Sequence, residues 1–217
     1  MFTGIIQATG TIEALTPQGG DLRLRIGTGK LSLDAMRVGD SIAVAGVCLT
    51  AAALHPRAFE ADVSAETLRC TTFGALCRGD AVNLEKSLTL ATPLGGHLVS
   101  GHVDGVAEVK ARSEVGGSLR YVIEAPAGLA PYIATKGSIC VDGVSLTVNA
   151  VDGPAFEVNL VPHTLQETTL GGLQTGSRVN LEVDLMARYA ERLLRGGGRV
   201  RSGLSREALE RAGFTDE

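Results

Sequence analysis

Residues 137–147 read GSICVDGVSLT, and a close copy of this stretch, DSIAVAGVCLT, occupies residues 40–50. Each copy has alternating apolar residues that indicate a strand, a turn that contains glycine, and a second strand. An Asp-Gly pair between apolar runs is a strong hairpin signal, because glycine accepts the positive φ that a tight turn requires. The sequence therefore predicts the same β-hairpin twice, with Cys48 and Ser145 at matching positions 97 residues apart.

The repetition extends well beyond the hairpin. A shift of 97 positions aligns residues 1–88 with residues 98–185 without a gap, and roughly 30 of the 88 pairs are identical. The motif GxxVNLE closes both halves, at residues 79–85 and 176–182. A period of this length is too long for a solenoid unit, so it predicts a duplicated domain of about 90 residues. We expect the two matching hairpin edges to hold two copies of one small molecule.

Within each half the pattern is that of β-structure. In the first half, apolar residues between positions 5 and 12 mark a first pair of strands, and those at 22–26 alternate along a third. A short helix at 31–38 is expected to cap one end. After the hairpin, further strands are predicted at 59–63 and, following the turn at residues 78–79, at 81–88. Short strands separated by turn signals predict a small closed antiparallel barrel of six strands, and closure leaves no exposed strand edge.

After Asp184 the apolar period becomes helical and ends at the three glycines 196–198. This apolar stripe has no counterpart in the first half, so we expect it to pack on a barrel or on other copies of itself, and we predict oligomerisation. The predicted organisation is a first barrel at 1–88, a linker at 89–97, a second barrel at 98–185, an oligomerisation helix at 186–198, and a tail at 199–217 that forms a short helix or is disordered.

The composition restricts the classes of partner. Of the 217 residues 44% are hydrophobic and 20% are charged, and the net charge is −4 without a broad basic face, so we expect no nucleic-acid partner. There is no apolar run of about 18 residues and no secretory leader, which predicts no membrane span and a cytoplasmic location. The four cysteines form no C-x-x-C pair, which favours reduced thiols. We expect no metal, since the odd offset between His97 and His102 points them to opposite faces of a strand.

Three motifs carry a resemblance to a known family: MFTGII at residues 1–6, GGHLVSGH at residues 95–102, and the paired G-V-(C/S)-L-T turns. Together they resemble the riboflavin synthases of the alpha-chain type, over residues 1 to about 190 and including the duplication. The resemblance implies homotrimers of tandem six-stranded Greek-key barrels with a C-terminal helix at the trimer axis. It also implies that two molecules of 6,7-dimethyl-8-ribityllumazine dismutate, by transfer of a four-carbon unit, to riboflavin and 5-amino-6-ribitylamino-uracil without a cofactor. An association with lumazine synthase is left open.

The chemistry of that reaction agrees with a duplicated chain. Two identical molecules must meet face to face in opposite orientations, which requires two similar pockets related by a pseudo-twofold axis. Holding the two rings in register can contribute roughly 7–11 kcal/mol to catalysis. The remaining proton transfers and nucleophilic assistance suit side chains of the His, Ser, Cys and Thr type. In the family each site resembles a sandwich between barrels of two subunits, so the monomer is expected to be inactive.

The resemblance also implies the site residues. Cys48, His102 and Ser145 are the leading catalytic candidates, and His163 departs from the family by replacing an acid that Glu66 keeps in the first half. Positions tied to catalysis are Phe2, Ser41, Cys48, His97, His102, Asp142, Ser145, Thr147 and Asp184. The first-half pocket is expected to contain Gly4, Ile5, Ile6, Cys48, Leu49, Thr50, Asp62, Val63, Ser64, Ala65, Glu66 and Thr67. The second-half pocket is expected to contain Gly101, His102, Val103, Lys136, Ser145, Leu146, Thr147, Val161, Pro162, His163, Thr164, Leu165 and Gln166.

Other interpretations of these features remain. Glycines at the two turns are required in any hairpin, and a cysteine that opens a strand can be only a small buried apolar residue. A non-catalytic carrier of the same fold would bind one lumazine or flavin per chain, but such relatives lose the polar groups of one pocket, whereas both halves keep them here. An unrelated tandem-barrel adaptor would leave the polar differences between the halves unexplained. The sequence therefore favours the enzyme.

Overall fold

Each half of the repeat folds into a closed barrel of six antiparallel strands. The computed structural model describes residues 1–196. The strands of the first barrel are β1 (Ala8–Gln18), β2 (Asp21–Gly27), β3 (Ser41–Val44), β4 (Val47–His55), β5 (Ala58–Val63) and β6 (Ala81–Lys86). Those of the second barrel are β7 (Gly105–Val115), β8 (Ser118–Glu124), β9 (Ser138–Val141), β10 (Val144–Asp152), β11 (Ala155–Leu160) and β12 (Arg178–Val183).

The strand order is the same in both barrels. The first barrel runs β1-β2-β5-β4-β3-β6, and the second closes as β7-β8-β11-β10-β9-β12. Because β3, β4 and β5 are successive neighbours and β5 returns to lie beside β2, the order is a Greek key. The predicted class of two tandem six-stranded barrels, followed by a C-terminal helix, is therefore confirmed.

Each barrel has its own apolar core. The repeat mates Phe59 and Phe156 are both completely or almost completely buried, one in each core. In β6, Val82 and Leu84 belong to the first core, while the residues that alternate with them point outward. Alternate side chains along each strand thus fill the barrel. The other side chains face solvent or the neighbouring segments of the chain.

The two barrels meet across a pseudo-twofold axis. Phe2 and Val99, which are repeat mates, form an isolated antiparallel bridge with N···O distances of 2.7 and 3.1 Å. The hairpin turns also touch, since a Cβ added to Gly46 would lie 2.7 Å from the backbone nitrogen of Gly143. Contacts between equivalent residues occur only near a symmetry axis, so the axis passes between both pairs.

Two buried asparagines join the barrels at this axis. The Asn83 side chain donates to the carbonyl of Asp142 at 2.9 Å and accepts from the Thr169 N–H at 2.8 Å. Asn180 makes the same two bonds in the opposite direction, to the Ala45 carbonyl and from the Thr72 N–H, at 2.9 and 2.8 Å. These matching bonds give both amides a donor and an acceptor partner across the joint, and they fix how the barrels are oriented.

The structure corrects several sequence-based predictions of secondary structure. Residues 31–38 form turns rather than a helix, because Leu31 and Leu33 alternate into the first core and no helical stripe continues between them. Two short helices that were not predicted, α1 (Ala65–Cys70) and α2 (Pro162–Glu167), follow β5 and β11. Ser64 caps α1 by accepting from the Thr67 N–H, but six residues are too few to show a helical period.

The N-terminal segment of each half is an arm rather than a strand. Ile5 and Ile6 were expected to belong to a first strand pair, but β1 begins at Ala8 and is a single strand of 11 residues. Backbone groups in residues 2–5 instead bond to a carboxylate and to the other half of the chain. The final strand of the first barrel likewise ends at Lys86 rather than at residue 88.

A third helix, α3, covers Leu185–Gly196. Its bounds overlap the helix predicted at 186–198, and residues 197–198 and the predicted tail at 199–217 lie outside the described residues. Met186, Tyr189, Leu193 and Leu194 are large exposed apolar side chains, and Glu191 forms an i,i+4 ion pair with Arg195 at 2.6 Å. Within residues 1–196, no helix combines the length and the apolar character that crossing a bilayer requires.

Candidate functional site

The two hairpins present two strand edges that are built alike. We call the first the Cys48 edge: the Cys48 N–H, at the start of β4, donates to the carbonyl of Gly101 at 2.8 Å. In the second, the Ser145 edge, the Ser145 N–H at the start of β10 donates to the carbonyl of Gly4 at 2.8 Å. Each edge therefore combines a strand of one barrel with the arm of the other half.

Glycine is required where each arm passes its edge. A Cβ added to Gly4 would lie 2.6 Å from the Cβ of Ser145, and one added to Gly101 would lie 2.6 Å from the Cβ of Cys48 and 2.8 Å from the Phe2 ring. Both glycines also have a positive φ, of 74° and 81°. Phe2 itself is fully buried beneath the Cys48 edge, and His102, the residue after Gly101, is exposed.

The Ser145 edge carries an additional histidine. Nδ1 of His97 lies 2.7 Å from Oγ of Ser145, and the His97 N–H bonds to the Thr3 carbonyl at 3.2 Å. Within residues 1–196, Nε2 of His97 is the only buried side-chain nitrogen or oxygen that lacks a hydrogen-bond partner. His97 precedes the aligned region of the second half, so the Cys48 edge has no equivalent residue. The two edges therefore share a backbone pattern but differ in their reactive groups.

Burial controls the charge of His97. Desolvation lowers its pKa below the usual 6.5, and the negative charge of Asp184 opposes that shift in part. A neutral imidazole keeps one nitrogen as donor and one as acceptor, so His97 can exchange a proton with the Ser145 hydroxyl. The separation of 2.7 Å is within the range for proton transfer between a hydroxyl and a base.

Asp142 lies apart from both edges. Its carboxylate accepts from the Asn180 N–H at 2.7 Å, and the residue as a whole is 9% exposed. It lines a cleft of about 650 Å³ between the barrels, with its repeat mate Ala45 and the 3₁₀ turns Thr72–Ala75 and Thr169–Gly172. Burial raises the pKa of Asp142 to about 7. Among the described residues, those that line this cleft do not include Cys48, His102 or Ser145.

The remaining predicted residues lie around the edges, and they include exposed residues as well as Leu49 and Val63, which are buried in the first core. Ser41 pairs with Thr50 across the first hairpin, as Ser138 pairs with Thr147 across the second. Lys136, in the position of Gly39, is exposed and has a φ of 67°. The segment 62–67 contains the end of β5 and the start of α1, whereas the segment 161–166 follows β11 and contains most of α2. Their exposed members are Asp62, Ser64, Ala65, Glu66, Val161, Pro162, His163 and Gln166.

Two acids expected to contact substrate have partners on their own barrel. Asp62 pairs with Arg23 through two bonds of 2.7 Å, and the guanidinium lowers the pKa of this carboxyl. Glu66 pairs in the same way with Arg69, at 3.0 and 2.6 Å, and its pKa is lowered too. Both acids are exposed, so they are available to a ligand that can displace an arginine.

The sequence interpretation assigned no role to two buried acids close to the edges, Glu85 and Glu182. They accept hydrogen bonds from the two arms. The GxxVNLE motif that ends both halves could have indicated a role for these glutamates, because the same glutamate recurs beside apolar residues in both strands. Residues 1–196 contain no group of three or more His, Cys, Asp or Glu side chains placed to hold a metal ion.

Comparison with known proteins identifies what this arrangement is similar to. A family model described as the lumazine binding domain matches residues 3–87 and again residues 100–184. The riboflavin synthase of Photobacterium phosphoreum is 47% identical over 216 residues, which cover 99% of this chain and 99% of the relative. The chain belongs to the riboflavin synthase family. The riboflavin synthase of Brucella abortus (strain 2308) is 46% identical over 198 residues, 89% of this chain and 98% of the relative.

The relatives named riboflavin synthase are enzymes, and solved structures of LumP share the fold of this chain. LumP complexed with riboflavin superposes with a TM-score of 0.78 at 29% identity, covering 84% of this chain and 99% of LumP. LumP complexed with 6,7-dimethyl-8-(1′-D-ribityl) lumazine gives a TM-score of 0.76 at 28% identity, with the same coverage. The family and the enzyme class that the sequence motifs predicted are therefore confirmed.

Proposed function

We propose that this protein converts two molecules of 6,7-dimethyl-8-ribityllumazine into riboflavin and 5-amino-6-ribitylamino-uracil, the last step of riboflavin biosynthesis. One molecule transfers a four-carbon unit to the other. The observation that carries the proposal is the pair of edges that share one backbone pattern and differ in their side chains. A shared pattern suits two copies of one heterocycle, and different reactive groups allow one copy to act as donor and the other as acceptor.

The reaction needs no further reactant. The two products together contain every atom of the two substrates, so no external oxidant, reductant or net water is required. The protein must hold two rings face to face and move protons between them. Orientation of this kind can supply roughly 7–11 kcal/mol of the reduction in barrier, and we assign it to the two edges and their arms.

We assign the proton transfers at one edge to Ser145 and His97. The neutral imidazole takes the Ser145 proton as the hydroxyl removes one from an activated ring methyl, and returns it later in the reaction. At the other edge, we assign to Cys48 the assistance of addition at the neighbouring ring carbon, together with the exposed His102, which follows Gly101 in the arm. The remaining pocket residues around the strand ends would contact the ribityl chains.

We further propose that the active protein is a homotrimer in the cytoplasm. The exposed apolar side chains of α3 would be covered by copies of the same helix. The described cysteines are all free thiols, as expected in a reducing compartment. A complete site would then combine the first barrel of one subunit with the second barrel of the next. An association with lumazine synthase would deliver substrate to these sites.

One competing function is a carrier that binds a lumazine or flavin without reaction. It is favoured by the similarity to LumP, whose solved structures hold riboflavin or the lumazine. The two functions make different predictions for the two edges. A carrier needs one occupied edge per chain, whereas the enzyme needs both.

The deciding experiment incubates the purified protein with 6,7-dimethyl-8-ribityllumazine alone. We expect riboflavin absorbance to appear, with one uracil product formed for each riboflavin. Cys48→Ala and Ser145→Ala should each slow this conversion severely, and Cys77→Ala, which removes an exposed thiol outside the predicted pockets, is the matched control for the first. Stoichiometric binding of lumazine without any flavin would refute the enzyme and support the carrier.

A further inference from the structure

The motif that ends both halves places polar side chains where none are needed for a barrel. In β6, Val82 and Leu84 fill the first core, and in β12 Val179 and Leu181 fill the second. The alternating residues therefore point out of the barrel. Residues that point out of a barrel are normally exposed to solvent. Glu85 and Glu182 occupy such positions, yet they are only 2% and 4% exposed.

Each buried glutamate holds the arm of its own half through three hydrogen bonds. Oε1 of Glu85 accepts from the Thr3 N–H at 2.7 Å and from the Thr3 hydroxyl at 2.6 Å, and Oε2 accepts from the Gly4 N–H at 3.0 Å. Glu182 repeats the pattern with Ser100 at 2.6 and 2.7 Å and with Gly101 at 2.9 Å. Three donors converge on two oxygens in each case, with no cation among them.

Each held arm then reaches the opposite barrel. The Gly4 carbonyl accepts from the Ser145 N–H, and the Gly101 carbonyl accepts from the Cys48 N–H, both at 2.8 Å. Two residues further along each arm, Ile6 packs against the second core and Val103 against the first. The N–H of each glycine thus binds a carboxylate of one barrel, and its carbonyl binds a strand edge of the other.

We propose that Glu85 and Glu182 are positioning residues for the two lumazine sites, and that each sets the edge of the opposite barrel. Glu85 acts through Gly4 on Ser145, and Glu182 acts through Gly101 on Cys48. The catalytic consequence rests on the proposed function, while the structural coupling does not.

His102 is oriented by the same arm as the Cys48 edge. Its N–H bonds to Oγ of Ser100 at 3.2 Å, and that hydroxyl donates to Glu182. The equivalent bond in the first half joins the Ile5 N–H to Oγ1 of Thr3, also at 3.2 Å. Glu182 therefore positions both candidate groups of one edge, whereas Glu85 positions a different edge.

A carboxylate suits this position better than the amide of the same shape. Glutamine offers one oxygen, and its amino group would face an N–H donor, so at least one buried donor would lose its partner. Burial raises the pKa of both carboxyls, and the three donors oppose that shift by stabilising the ionised form. The pair of variants Glu85→Gln and Glu182→Gln is consequently a direct test, each serving as the control for the other.

The first measurement is amide hydrogen exchange of Cys48 and Ser145 in the full-length protein without ligand, by NMR with 15N-labelled cysteine and serine. Glu182→Gln should accelerate exchange of the Cys48 amide by about tenfold, the effect of losing one charge-assisted hydrogen bond, and leave Ser145 unchanged. Glu85→Gln should do the reverse. Acceleration of both amides in both variants, or of neither amide, would overturn the proposal, since the carboxylates would then act on the fold in general or not at all.

The second measurement is steady-state conversion of 6,7-dimethyl-8-ribityllumazine. Glu182→Gln should lower kcat by about tenfold or more with a smaller change in KM, because the reacting groups are displaced while most ligand contacts remain. A change confined to KM would overturn the catalytic part. If the wild-type protein forms no riboflavin, the proposed function fails, but the exchange measurement still decides the coupling.

Discussion

Replacing Asp142 by asparagine removes a buried carboxyl while keeping the oxygen that accepts from the Asn180 N–H. Burial raises the pKa of Asp142 from 3.8 to about 7, so the folded chain holds a proton over a range in which the unfolded chain has released it. The free energy of unfolding of the wild type must then fall as pH rises between these two values. About three pKa units at 1.36 kcal/mol each give a loss of about 4 kcal/mol. The asparagine of the variant does not titrate, so its folded state avoids this loss.

The assay is urea unfolding of the wild type and of Asp142→Asn at about pH 4 and about pH 8. We expect the variant to gain up to about 4 kcal/mol on the wild type between the two pH values. Asp152→Asn is the matched control, since it changes the net charge equally at an exposed position of β10, and it should show a much smaller pH-dependent difference. A difference between wild type and Asp142→Asn that is the same at both pH values would refute the reasoning.

Three further predictions concern the edges and the helix. His97→Gln should slow flavin formation by about 10²- to 10⁴-fold. Because burial lowers the pKa of His97 below 6.5, the acid limb of the wild-type pH–rate profile should lie below that value and disappear in the variant. An acid limb that survives in the variant would contradict the role of His97. Lys136→Gly should raise the melting temperature, because the strain of a left-handed lysine, about 1–2 kcal/mol, exceeds the entropy that glycine loses on folding. The same variant should bind lumazine more weakly in a fluorescence titration. Unchanged affinity would exclude Lys136 from the site. Removing residues 186–217 should give monomers by sedimentation and little activity in turnover assays. Removing only residues 197–217 should preserve the proposed trimer. An active monomer would show that one chain completes a site.

The fold could be predicted to a large extent because the same pattern of strands and turns occurs in both halves of the sequence. An isolated hairpin signal is weak, but the same signal recurs 97 residues later with the same strands around it. Two independent copies of one pattern remove most alternative topologies, and short alternating strands then favour closure into barrels. The family motifs added the expected function and most of the residues that the edges contain.

Several missed features depend on contacts between segments that are far apart in the sequence, which no local pattern reveals. Ile5 and Ile6 look like strand residues, but their segment is an arm because Glu85 and the second barrel take its hydrogen bonds. Glu85 itself looks like an outward polar residue of a strand, but it is buried and accepts three hydrogen bonds from the arm at the start of its own half. Asp142 was grouped with the catalytic set and that role stays a prediction, but no local pattern revealed that Asp142 is buried and lines the cleft between the barrels.

The differences between the halves indicate where function has been added to a duplicated fold. Lys136 and Asp142 keep the left-handed backbone of their repeat mates, with φ values of 67° and 45°. The mate of Lys136 is Gly39, which adopts that conformation without strain, and the mate of Asp142 is Ala45, which carries no charge to bury. Both changes in the second half therefore reduce the stability of the fold. Because a left-handed lysine and a buried acid both oppose folding, we infer that ligand binding or catalysis maintains them. Asp142→Asn should then be more stable than the wild type at alkaline pH and less active, and a variant that gains stability without losing turnover would separate the buried acid from the reaction.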